Sequence, residues 1–73
     1  MATASTVSLV ASIGDVAGIV WRVLSDNGPM TVAKLVKAVG EPRDAVMQAI
    51  GWLARENKIE LAEEGHSRVV SLR

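Results

Sequence analysis

Hydrophobic periodicity and helix punctuation predict a small, mainly helical α+β domain: three helices closed by a two-stranded β-hairpin. Apolar residues recur at helical spacing in three blocks, separated by Asn27-Gly28-Pro29 and Gly40-Glu41-Pro42. After Asn57 the apolar spacing changes to a period of two. The length of 73 residues leaves room for one domain, and an apolar fraction of 49% is enough to pack a core. Residues 9–73 are expected to form this domain, with residues 1–8 a frayed N-terminus.

The first helix is predicted from Ile13 to about Asp26. Ser12 followed by Asp15 resembles a capping box, with Asp in place of the usual Glu or Gln. Asn27-Gly28 stops the helix, and Pro29 stands just beyond. At about 100° per residue, Ile13, Val16, Ala17, Val20, Val23 and Leu24 share one face. Ile19 and Trp21 widen that stripe on its two flanks, an apolar circumference too broad for a lone surface helix. Upstream, Val7 to Ala11 reads equally as a short strand or as an early helical turn.

Thr31 caps a second, shorter helix over Val32 to Val39, ended by Gly40, with Val32, Leu35, Val36 and Val39 inward and Lys34 and Lys37 outward. Pro42 suits the first position of the third helix, which runs from Arg43 to about Asn57. Val46, Ala49, Ile50 and Leu53 form its core face, with Asp44, Gln48, Gly51 and Arg55 opposite. Ile59 and Leu61 then alternate with charged neighbours as a half-buried strand. Glu63-Glu64-Gly65-His66 makes a hairpin loop, and residues 68–72 return. Pairing Ile59 and Leu61 with Val70 and Leu72 would set all four against the helices.

The segment TVAKLVKAVGEPRDAVMQAIGWLARENKIEL resembles the centre of a winged helix-turn-helix domain: a Thr-initiated short helix, a Gly turn, a longer helix and a strand opening on Lys-Ile. More closely, the chain resembles a small family of stand-alone prokaryotic winged-helix proteins of unknown function. The likeness rests on Gly14, Ala17-Gly18, Trp21 and Leu24, on the stretch Ala49 to Glu56 that contains GWLARE, and on Lys58-Ile59. It covers residues 9–72 and implies a winged helix-turn-helix fold with a two-stranded β-wing.

Charge and composition bound the function. Formal net charge is zero, distributed as −1 over residues 1–28, +2 over 29–58 and −1 over 59–73. With no Cys, disulfides and thiolate metal sites are excluded, and His66 alone cannot build a zinc site. No catalytic motif occurs, and Gly14 and Gly18 lie inside a helix rather than in a nucleotide-binding turn, so the expectation is a non-enzyme without cofactor, metal or small-molecule substrate. No Lys or Arg precedes Arg22, and the apolar stretch from Ile13 to Leu24 is too short for a bilayer and interrupted by charge. A cytoplasmic protein without membrane association is expected.

Two binding functions compete. In the usual docking of this fold the third helix enters the major groove of duplex DNA. Arg43, Gln48 and Arg55 are then the candidate base or phosphate contacts, and Lys34, Lys37 and Arg68 the phosphate contacts. This reading makes the chain a transcription-regulator-like module. Asp44 beside Arg43, and Glu63-Glu64 at the wing tip, oppose it by weakening phosphate neutralisation.

The alternative is a homodimerisation module without DNA binding. A core this small supplies only about 3–5 kcal/mol, so a partner subunit is the expected supplement. Two interior helical glycines, Gly14 and Gly18, cost about 0.5–1 kcal/mol each. Close approach of another backbone would offset that, whether from this chain or from a second copy. Trp21 and Trp52 are either core residues or interface anchors. The expected dimer contact comprises Gly14, Gly18, Ile19, Trp21 and Trp52.

Overall fold

The computed structural model describes the backbone of residues 5–73 and the side chains of residues 9–73. In chain order the elements are α1 (Ser5–Asn27), β1 (Met30–Thr31), α2 (Val32–Val39), α3 (Arg43–Arg55), β2 (Ile59–Glu64) and β3 (Ser67–Leu72). The three expected helices are all present. The hairpin gains a third, two-residue strand, giving an antiparallel sheet in the order β1-β3-β2.

α1 starts earlier than its sequence signals suggest. Ser12 and Asp15 lie within the helix rather than at its start, and Val7 to Ala11 is helical. No Pro interrupts residues 5–13, so the ladder that begins at the core-facing turns continues upstream without a breaker. Of the expected N-terminal segment, residues 1–4 lie outside the described residues, while Ser5–Ser8 belong to α1. The other end is as expected: Gly28 adopts φ 80° and donates its N–H to Leu24 O at 2.8 Å. Val16, Ala17, Val20 and Leu24 are buried, with Ile13 and Val23 partly covered at the margins of the stripe.

α2 keeps its expected bounds. Thr31 accepts a hydrogen bond from the Lys34 N–H at 3.2 Å, and Gly40 closes the helix in the left-handed conformation. α3 begins at Arg43 as expected, with Pro42 at the capping position just before the helix rather than at its first position, and the Pro42 carbonyl accepts from the Val46 N–H. Because Pro42 offers no side-chain cap, Asp44 Oδ1 instead accepts from the Ala45 N–H at 3.0 Å. The helix ends at Arg55, two residues before Asn57. There Asn57 takes φ 64°, its N–H bonds to Ala54 O, and the Lys58 N–H bonds to Leu53 O. That paired arrangement stops a helix and reverses the chain. It delivers Ile59 directly into β2.

β2 and β3 pair antiparallel and bring together the four residues expected to pair, in the register Ile59 with Leu72 and Leu61 with Val70. Their turn is shorter than expected. Glu63 and Glu64 extend the strand, leaving only Gly65-His66 between Glu64 and its partner Ser67. Gly65 carries positive φ (62°) and His66 does not, the pattern of a type II′ turn. Val70 is completely buried because β3 is central, flanked by Met30 on one side and Leu61 on the other. Leu61 departs from the expected burial and is 49% exposed, since it stands on the outer strand beyond the helices. The core therefore joins α1 and α3 through Val20, Leu24, Val46 and Ile50, with Leu35 and Val70 closing it from α2 and the sheet. No buried side-chain nitrogen or oxygen lacks a partner among the described residues. Among the described residues, no helix is long and apolar enough to cross a membrane.

Candidate nucleic-acid interface

The start of α2, the start of α3 and the wing surround one open recess. Thr31, Val32 and Ala33 form one wall, Arg43 a second, and His66, Ser67 and Arg68 a third. Local folding explains each placement. Pro42 starts α3 so that Arg43 occupies its first turn, and the short Gly65-His66 turn swings Ser67 and Arg68 back toward the helices. Arg43 and Arg68, distant in sequence, thus share a surface with the exposed N-terminal turn of α2. On that helix Lys37 lies one turn beyond Ala33 on the same side, and Lys34 is exposed next to it.

The charge balance around the recess is mixed. Arg68 stands directly across the hairpin from Glu63, and Nε approaches Oε2 at 3.9 Å. A second strand-end pair joins Arg73 to Glu60 at 3.6 Å. Both are solvent-exposed, and such pairs contribute about 0–1 kcal/mol. Arg68 can therefore exchange Glu63 for a phosphate at little cost. Asp44 also changes meaning, because its carboxylate is engaged with the first-turn backbone of α3. An acidic group there complements the helix dipole.

The remaining DNA candidates do not join this group. Gln48 lines a different hollow, between the first half of α1 and the start of α3, beside Leu9, Ile13, Glu41 and Asp44. Arg55 sits in the last turn of α3, twelve residues from Arg43 and hence about 18 Å along the axis. His66 and Ser67 reach the recess without having been singled out as DNA contacts. Only the hairpin register locates them there, and the shorter turn is what sets it.

A second feature lies along α1. Gly14, Ala17, Gly18 and Trp21 form one side of a groove, and Trp52, Leu53 and Lys58 form the other. Trp21 is 44% exposed and Trp52 40%. A Cβ built on Gly14 or Gly18 would meet nothing within 4 Å. Among the described residues, packing of another element of the same chain thus does not account for these glycines. Ile19, 39% exposed, faces the far side of Gly18 with Asp15, Arg22 and Val23, away from both tryptophans.

Comparison with known proteins agrees with this architecture. An uncharacterised protein of Methanocaldococcus jannaschii is 32% identical over 63 residues, spanning 84% of this chain and 90% of the relative. The family model for the winged helix-turn-helix domain known as DUF2582 matches residues 8–72. With three helices, a Gly40 turn and a β2–β3 wing matched over nearly its whole length, the chain belongs to this winged helix-turn-helix family.

Proposed function

We propose that this winged helix binds duplex DNA and acts in the cytoplasm as a transcription-regulator-like module. The observation that carries the reading is the meeting of Arg43 and Arg68 at one recess, with Lys37 and Lys34 on the adjoining exposed side of α2. In this docking α3 enters the major groove from its Arg43 end, and the wing lies along the backbone. Arg43 reaches a base edge or phosphate at the groove wall, while Arg68, Lys34 and Lys37 neutralise phosphates. Gly51, exposed on the outward side of α3, leaves the helix backbone free to approach the groove floor. The acidic wing strand keeps the phosphate contacts few, so affinity is modest.

The test is affinity for duplex DNA across a salt series. Each phosphate contact contributes about 0.9 to the slope of log K against log salt. Wild-type protein should show a slope of about −3 to −4, and Arg43→Ala or Lys37→Ala should each reduce its magnitude by about one. No binding at low salt would overturn the proposal. The second reading is a self-association module without DNA binding, favoured by the zero net charge and the two half-exposed tryptophans. Absence of DNA binding together with a stable dimer would select it.

A further inference from the structure

We infer that the Trp21–Trp52 groove receives the α1 helix of a second copy of this chain, packed antiparallel about a two-fold axis. The occupant follows from the pattern on α1 itself. Ala11, Gly14, Gly18, Trp21 and Ser25 follow one another at intervals of three and four residues, the spacing of a helix-packing seam. Each is outside the buried core. One flank of the seam is closed by Trp52 and Lys58. The other carries Asp15 and Arg22, one heptad apart, and neither forms an ion pair among the described residues.

These features complement themselves only in one direction. With Gly18 level with the partner's Trp21, each indole fills the open hollow at the other chain's glycine, where nothing lies within 4 Å of a Cβ. The same alignment leaves Asp15 about 3 Å of axial offset from the partner's Arg22, well within side-chain reach. The two-fold axis repeats that pair on the other side. A parallel two-fold arrangement would instead put the two copies of Asp15 and Arg22 on opposite flanks of the interface, where they could not pair. The two Asp15–Arg22 pairs therefore favour the antiparallel orientation in this register, with Asp26 farther from the seam on the same flank. Gly18 leaves room for the partner's indole, and Gly14, one turn away and level with the partner's Ser25, leaves room for the partner helix to approach, which accounts for two residues that otherwise weaken α1. The dimer surface is separate from the Arg43–Arg68 recess, so it stands whether or not that recess meets DNA.

Sedimentation of the full chain over the micromolar range tests the arrangement. Wild-type protein should be dimeric at high micromolar concentration. Asp15→Arg and Arg22→Asp should each weaken self-association about tenfold, since both symmetry-related pairs become repulsive. An equimolar mixture of those two variants should assemble again, because both contacts between positions 15 and 22 in the heterodimer are then between opposite charges. Gly18→Leu should lose the dimer while keeping the helical circular-dichroism spectrum, as its own chain leaves room for the side chain. A wild-type monomer at high micromolar concentration would overturn the inference. So would a dimer indifferent to these variants, or a mixture no more associated than its components.

Discussion

Gly40 and Gly51 make a matched pair in which one substitution should have opposite signs. A Cβ at either position meets nothing within 4 Å, so crowding contributes to neither. What differs is the backbone. Gly51 lies inside α3, where Ala is favoured over Gly by about 0.5–1 kcal/mol. Gly40 closes α2 with φ 79°, and its N–H bonds to Val36 O at 3.3 Å. A side chain in that left-handed conformation costs about 1–2 kcal/mol. Gly51→Ala should therefore stabilise, Gly40→Ala should destabilise, and the two should differ by about 1.5–3 kcal/mol. For a domain of this size 1 kcal/mol moves the melting temperature by about 4–8 °C, so the two midpoints should separate by about 6–24 °C. Thermal unfolding by circular dichroism at one fixed protein concentration measures this directly. Shifts of the same sign would refute the assignment of Gly40 as a left-handed cap, and with it the turn that angles α3 against α2.

Other perturbations probe the core, a cap and the candidate interface. Leu35→Ala removes a fully buried side chain and should cost about 2–5 kcal/mol. That is comparable to the whole stability of a core this small, so urea titration should find the variant largely unfolded at room temperature. Thr31→Ala deletes the hydrogen bond to the Lys34 N–H and should lower stability by about 1 kcal/mol in the same assay. Gln48→Ala should leave DNA affinity unchanged while Arg68→Ala lowers it, because Gln48 lines the hollow against α1 instead of the Arg43 recess. Equal losses in a binding titration would place the DNA on the opposite side of α3.

Much of the architecture was determined locally, where a residue's own stereochemistry sufficed. Thr31 and Gly40 bound α2 because one accepts from the first turn and the other tolerates positive φ. The buried stripes of α1 and α3 follow from helical spacing, and the pairing of β2 with β3 from alternation across a hairpin. Where partners were distant, local signals ran out. Ser12 and Asp15 resemble a helix start, yet nothing upstream breaks the ladder, and α1 continues to Ser5. Met30 and Thr31 are too few to show a period, and they become a strand only because β3 presents Val69 and Val70 with an open edge. Leu61 alternates like a core residue but stands outside the reach of the helices.

The same division applies to the candidate sites. Arg43, Arg68, Lys34 and Lys37 were legible as basic residues on the expected helix-turn-helix and wing, but their grouping, and the separation of Gln48 and Arg55 from it, required the tertiary arrangement. Composition and periodicity determined the three helices, the wing and the basic candidates, because caps, φ preferences and apolar stripes act within a few residues. The third strand, the Arg43–Arg68 recess and the open hollow at Gly14 and Gly18 were decided only in three dimensions. Each depends on which surfaces the packed helices cover and which they leave to solvent.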